Sequence, residues 1–287
     1  MKVGFLGTGL MGIPLAQRVL GAKIPVIAYN RTRAKLAPLQ AMDAEIADTA
    51  TQVIAEADCV ILTLTDAVAI ETLLLSEASR QVLAGRTVIQ MGTIGIRESQ
   101  QIRDQVVGAG GEYLEAPVLG SIPEAKAGTL IVMVGATSAQ FERWLSLLQL
   151  FGKEPLLIGE VGSSAAVKLA MNQLIGSLTT AFALSLGLVL RSGVPVADFM
   201  KIVRDSALYA PTFDKKLQRM LERNYENPNF PTKHLLKDTA LLMREGDLLG
   251  LDTQIQKAVL SVLEKTLELG LGDSDYSALF SAVNPED

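Results

Sequence analysis

The sequence predicts an α/β chain: a doubly wound, mainly parallel sheet followed by an all-α domain, the two joined by one long central helix. Three observations carry this. Short apolar runs alternate with helical segments from Lys2 to about Ile158, the first run opens into a glycine-rich turn, and no strand-like run follows Gly159. Strands separated by helices pair in parallel, because a parallel pair cannot be joined by a tight turn.

The first strand is read at residues 3–6 and runs directly into Gly7-Thr-Gly9-Leu10-Met11-Gly12. This fits the Gly-x-Gly-x-x-Gly pattern. Gly7 supplies the tight turn, Gly9 lets backbone N–H groups approach a pyrophosphate, and Gly12 lets the next helix pack closely on the sheet. A helix at residues 11–20 and a strand at 26–29 complete the βαβ unit that gives the pattern its meaning. Gly7, Gly9, Leu10, Met11 and Gly12 are therefore candidate contacts of a dinucleotide, and the sheet is of Rossmann type.

The second strand ends in Asn30-Arg31-Thr32, where a site for NAD carries an acidic residue for the ribose hydroxyls. Arg31 instead offers a planar fork to a 2′-phosphate and Thr32 offers a hydroxyl, so NADP(H) is expected over NAD. A second reading stays open, in which Asn30 or Thr32 caps the next helix. Helices follow at 33–39 and 51–56, then a strand at 59–64. Leu64 and Thr65 leave its carboxyl end, where ligands bind in such sheets. Thr65 is open to two readings, cofactor contact or a turn-stabilising hydrogen bond. Further helices are read at 67–74, 96–107 and 139–150, and further strands at 87–90, 113–115, 130–134 and 155–158. The boundary is expected at 160/161, giving a cofactor domain (1–160) and an all-helical substrate and oligomerisation domain (161–287).

That second domain is read as helices at 161–190, 196–206, 213–222, 233–249 and 254–269, punctuated by Pro211, Pro228 and Pro231. Residues 169–190 contain no charge and are long enough to cross a membrane. Asn172, Gln173, Ser177, Thr179, Thr180 and Ser185 are spread along them, which points instead to a helix buried all round in soluble protein. Lys168 and Asn172 lie four apart, hence on one face. Lys168 is the only charge between Glu160 and Arg191. A lysine enclosed by apolar residues has its ammonium form disfavoured, which suits acid–base work, although snorkelling to solvent is the alternative.

Composition excludes several classes. The chain has 287 residues, 49% of them hydrophobic, and a net charge of −5, so it has material for two cores and no electrostatic case for nucleic acid or anionic membrane. One cysteine, Cys59, rules out an internal disulfide, and one histidine, His234, leaves little for a metal site. His234 is read as a surface or helix-packing residue, no metal is expected, and the glycines that break the N-terminal apolar run argue against a targeting peptide. A cytoplasmic location is expected. A long apolar helix with more face than a small domain can cover also suggests a homo-oligomer.

Six motifs occur in one order: GTGLMG, Asn30-Arg31-Thr32, Gly92-Thr93-Ile94, Glu115-Ala-Pro-Val-Leu119-Gly120-Ser121 with its following AKAGTL, Gly162-x5-Lys168-x3-Asn172, and Lys237-Asp238. Together they resemble the β-hydroxyacid dehydrogenase family, related to 3-hydroxyisobutyrate dehydrogenase, and in pattern most of all its NADPH-dependent glyoxylate and succinic semialdehyde reductases. The resemblance implies that Lys168 is the general acid–base and Asn172 its support, that Thr93 and Lys237 contact the cofactor, and that Thr93 and Asn172 also contact substrate. It further implies that Gly120 and Ser121 hold a substrate carboxylate, with Phe230 and Asp238 near the closed site, in a homodimer or homotetramer. The expected substrate is a small carboxylate-bearing aldehyde, 2-oxo acid or hydroxy acid. Leu119 stands where the family usually has serine and Glu115 where it often has aspartate, and a leucine cannot donate to a carboxylate. An imine-reductase-like enzyme and a catalytically silent NADP-binding interaction protein are the alternative readings.

Overall fold

A computed structural model describes residues 1–286 of the chain. It divides into two compact units, Met1–Lys168 and one that begins at Leu169.

Unit 1 is built on nine strands: β1 (Val3–Leu6), β2 (Val26–Tyr29), β3 (Glu45–Ile46), β4 (Cys59–Leu62), β5 (Thr87–Gln90), β6 (Glu112–Glu115), β7 (Val118–Leu119), β8 (Ile131–Gly135) and β9 (Leu156–Gly159). Their order is β3-β2-β1-β4-β5-β6-β8-β7, with β9 on β8. The pairs from β3 to β6 are parallel, Val3 lying opposite Val26 on one side and Cys59 on the other. The strand order reverses beside β1, which puts the ligand crevice at the carboxyl ends of β1 and β4. Past β6 the chain turns back, since β8 is antiparallel to both β6 and β7.

The strands read as unbroken apolar runs because both faces are covered. Phe5, Ile61, Leu114, Trp144 and Phe151 fill one side, and Leu6, Val60, Leu62, Ile102 and Tyr113 the other. The covering helices are α1 (Gly12–Gly21), α2 (Ala37–Gln40), α3 (Ala50–Glu56), α4 (Ala67–Leu74), α5 (Glu77–Arg80), α6 (Ile96–Gly108), α7 (Ile122–Ala127) and α8 (Ser138–Leu148). Thr49, Asp66 and Thr137 begin α3, α4 and α8 by accepting the backbone N–H of the third helical residue.

α9 (Ser163–Arg191) starts in unit 1 and continues through unit 2, where α10 (Val196–Asp205), α11 (Pro211–Glu222), α12 (Thr232–Leu248), α13 (Gln254–Glu268) and α14 (Leu279–Val283) follow. The core of unit 2 stacks Phe182 of α9 on Phe213 at 4.6 Å, with Leu186, Met200, Leu235, Leu263 and Phe280 around them. A buried ion pair, Lys216 Nζ to Asp275 Oδ1 at 2.8 Å, ties α11 to the 3-10 turn at Tyr276–Ala278.

One expectation is corrected here. α9 is not buried all round: Leu174, Leu178, Leu184 and Leu188 are 47%, 38%, 65% and 70% exposed. At 100° per residue these four fall within about a third of the helix circumference. Phe182, Ala183 and Leu186 face the core, and the bundle is too small to wrap the other side. The helix is long and apolar enough to cross a membrane by length and composition.

Candidate active site

The glycine turn follows β1 as the sequence predicts. Gly7 has φ +94° and a Cβ there would lie 2.8 Å from Thr63 O; a Cβ on Gly12 would collide with Gly7 O and lie 2.5 Å from Thr63 Oγ1. Thr63 Oγ1 closes the arrangement by donating to Gly7 O at 2.6 Å. Gly9 has nothing within 4 Å of its Cβ position, and Leu10 is exposed beside it. So Gly7 and Gly12 are fixed by internal packing, while Gly9 faces open space at a helix start whose first N–H groups lack helical acceptors. Thr8 adds a buried hydroxyl with no partner among the described residues. These features fit a pyrophosphate.

Asn30 Nδ2 donates to Thr32 O at 3.0 Å and so shapes its own turn, which leaves Arg31 and Thr32 exposed beyond β2. Arg33 is taken by Asp48 at 2.5 Å, whereas Arg31 makes no ion pair among the described residues. Leu64 lies against Gly7, with its Cδ2 3.1 Å from the Cβ position, and Thr65 is exposed just before Asp66, the residue that begins α4.

At the carboxyl end of β5, Gln90, Gly92, Thr93 and Ile94 line a cavity of about 10 Å³ with Glu115, Pro117, Ala165 and Lys168. Lys168 is half-buried in the second turn of α9. The wholly apolar surrounding expected for it is corrected: Gln90, Thr93 and Glu115 are polar and share its cavity. Glu115 is 1% exposed, and sequence reasoning gave it no role beyond replacing aspartate. Its Oε1 accepts the N–H groups of Gly162, Ser164 and Ala165 at 2.8, 2.8 and 3.1 Å, and its Oε2 accepts Ser99 Oγ at 2.6 Å. Burial pushes its carboxyl above the ordinary range, against the pull of these donors.

Gly120 has φ +130°, a conformation that favours glycine, and Ser121 begins α7. The Ser121 N–H and hydroxyl both donate to Glu124 Oε2, at 2.9 and 2.7 Å. The signal for this in the sequence is Ser-Ile-Pro-Glu, a capping box.

Unit 2 carries its own cluster. Asn172 is 2% exposed and its Nδ2 donates to Asp238 Oδ2 at 2.6 Å. Asp238 is 3% exposed, with Lys237 Nζ 3.0 Å from its other oxygen. Phe230, half-buried, packs edge-on to Tyr276 at 5.8 Å and near His234 at 6.4 Å. His234 is a half-buried packing residue whose imidazole burial holds below its ordinary pKa.

A doubly wound sheet, a pyrophosphate turn at its switch point and a half-buried lysine beyond β5 define a nicotinamide-dependent oxidoreductase. The comparisons make this specific. Residues 2–162 match the model of the NAD-binding domain of 6-phosphogluconate dehydrogenase, and residues 162–283 that of the NAD-binding domain of NADP-dependent 3-hydroxyisobutyrate dehydrogenase. The chain is 32% identical to glyoxylate/succinic semialdehyde reductase 1 of Arabidopsis thaliana, over 99% of this chain and 98% of that protein. Its fold is that of the 3-hydroxyisobutyrate dehydrogenases of Salmonella typhimurium (TM-score 0.87, 23% identity, 98% and 99% of the two chains) and Mycobacterium tuberculosis (0.88, 21%, 98% of each). The chain belongs to the β-hydroxyacid dehydrogenase family, of the 3-hydroxyisobutyrate dehydrogenase type.

Proposed function

We propose that the protein is an NADPH-dependent reductase of a small carboxylate-bearing aldehyde or 2-oxo acid, such as succinic semialdehyde or glyoxylate, with Lys168 as its general acid. The observation that carries this is Lys168 lining one cavity with Gly92 and Thr93 at the carboxyl end of β5. The glycine turn, Arg31, Thr32, Leu64, Thr65, Thr93 and Lys237 are the groups that would hold the cofactor, which supplies the hydride when bound. The unpaired Arg31 supports a 2′-phosphate.

The chain's own task is the proton. As the carbonyl carbon is reduced, charge collects on its oxygen, and the Lys168 ammonium stabilises that charge and then transfers a proton to it. In the oxidation of a hydroxy acid the neutral amine takes the hydroxyl proton instead. Asn172 supports the reacting oxygen with an amide that Asp238 has oriented. The substrate carboxylate is read onto Ser121, where it would exchange with the Glu124 carboxylate for the same N–H and O–H donors. One anion replaces another there, a site chemistry suited to acids rather than neutral carbonyls.

A second copy of the chain is read onto the exposed leucines of α9, since these span about 21 Å of one helix face at 1.5 Å per residue. The assembly is read as a homodimer or homotetramer that works on small molecules rather than on nucleic acid or membrane, in the cytoplasm; the lone Cys59 is buried, and burial pushes its thiol up to about 12.

The test is Lys168→Ala with NADPH and succinic semialdehyde. NADPH should bind with unchanged affinity by fluorescence titration while kcat falls by about 10²–10⁴, the range of general acid–base catalysis. Turnover near that of the wild type would remove Lys168 from the chemistry.

A further inference from the structure

We propose that Glu115 is a positioning residue for Lys168: its buried carboxylate anchors the first turn of α9 and places a fixed negative charge in the lysine's cavity. This rests on the reading of Lys168 as the acid–base.

The geometry is that of a carboxylate rather than an acid. Three backbone N–H groups converge on Oε1, and the Ser99 hydroxyl donates to Oε2 at 2.6 Å. Because Ser99 spends its one proton there, it accepts at 2.9 Å from the Tyr113 hydroxyl, so the chain runs Tyr113 to Ser99 to Glu115 in one direction. Four donors on two oxygens suit an ionised carboxylate, which only accepts. The three N–H groups belong to the start of α9, where helical acceptors are missing and negative charge is favoured. Gly162 makes their convergence possible with φ +105°, a Cβ there lying 2.7 Å from Gln100 Nε2.

The side chain has no room to move. β8 presents Gly135 against it, and a Cβ on Gly135 would collide with Glu115 Oε1 and lie 2.6 Å from its Cγ. Its backbone is fixed as well, since Glu115 pairs with Gly135 across the β6–β8 step. Lys168 follows Ala165, one of the anchored residues, by less than one helical turn. An anchor at Ala165 thus fixes the azimuth and height from which the lysine side chain reaches the cavity. Among the lining residues only Glu115 and Lys168 titrate. The other titratable or charged groups on the elements around it are Arg97, Glu98, Arg103 and Asp104 of α6, Glu112 and Tyr113 of β6, and Glu160 ahead of α9.

Anchoring and charge can be separated by substitution. Glu115→Gln keeps an acceptor for the three N–H groups and removes the charge; Glu115→Asp keeps the charge and shortens the reach by one methylene; Glu115→Ala removes both. Each is assayed for kcat and KM across pH in the reductive direction with NADPH and succinic semialdehyde, beside Lys168→Ala. Reduction needs the ammonium, so kcat falls above a limiting pH, and loss of a neighbouring anion moves that limit down. Glu115→Gln should move it lower by about one pH unit, at the low end of the shift one opposite charge produces. Glu115→Asp should leave the limit in place and lower kcat, and Glu115→Ala should lower kcat by about tenfold or more at every pH with little change in the KM for NADPH, as misplacement of an acid does.

An unmoved limit in Glu115→Gln, or an unmoved kcat in both Glu115→Asp and Glu115→Ala, overturns the proposal while leaving Lys168 in its role if Lys168→Ala is inactive. An active Lys168→Ala removes the role itself. Should Glu115→Gln not fold, Glu115→Asp carries the decision: a limit that moves with the charge retained is equally fatal.

Discussion

At the scale of single residues, the chemistry of this chain is set by which donors and charges are already engaged. Arg33 is held by Asp48 and Asn30 by its own turn, so of the three residues after β2 that matter most, Arg31 is the one whose guanidinium is uncommitted among the described residues. Arg31→Ala should raise the KM for NADPH by about tenfold, the worth of roughly one charge-assisted contact, and leave the KM for NADH within about twofold. Steady-state titration of both cofactors checks this, and equal loss with the two would remove Arg31 from cofactor choice. Residue positions were legible where one atom type answers one need. Gly7, Gly9 and Gly12 follow from backbone geometry, and Lys168 stood out as a lone charge in an apolar run. Glu115 was not legible as an anchor, because the three backbone groups donating to it lie 47 to 50 positions away and the Ser99 hydroxyl lies 16 away. Only the fold brings β6 under the start of α9.

At the scale of elements, the main strands and helices could be read because parallel strands covered on both faces are continuous apolar runs and amphipathic helices are periodic. What escaped was short or stabilised from outside. β3 and β7 are two residues each, α5 is four, and α14 follows directly on a 3-10 turn. The two strands draw their order from neighbours, β3 from β2 and β7 from β8, so no local pattern marks them. The same dependence on tertiary partners appears at α11, which is secured by Lys216 against Asp275, a residue with 0% exposure that also accepts from the Ser277 N–H and hydroxyl. Asp275→Ala leaves an ammonium buried without its partner and should cost about 3–5 kcal/mol of stability, the range for breaking one side of a buried pair. Lys216→Met combined with Asp275→Leu should cost less than Asp275→Ala alone. Urea unfolding of the wild type and these two variants decides; a double variant no more stable than Asp275→Ala would mean that the loss is not that of an unpaired buried ammonium.

At the scale of the whole molecule, the long apolar run of α9 was visible in the sequence, but which of its faces is covered was not, since that depends on how many helices one copy can bring to it. The leucines at 174, 178, 184 and 188 remain exposed on a common face. Under the proposed oligomeric reading, Leu184→Asp with Leu188→Asp should shift the chain to monomer in sedimentation velocity while its circular dichroism stays that of the folded protein; an unchanged sedimentation coefficient would remove this face of α9 from that reading. The sheet has a whole-molecule meaning too. Its parallel block runs from β3 to β6, β8 and β9 form a separate parallel pair, and the segment between Glu115 and Ile131 is an antiparallel excursion whose strand β7 pairs with β8 alone. Under the proposed reading this excursion meets the acid group of the substrate, while the parallel strands carry the cofactor turn. Under that reading the hold on the substrate's acid group is written apart from the cofactor turn, and drift there, such as a leucine at 119, would retune what is reduced without touching the turn that holds the electron donor.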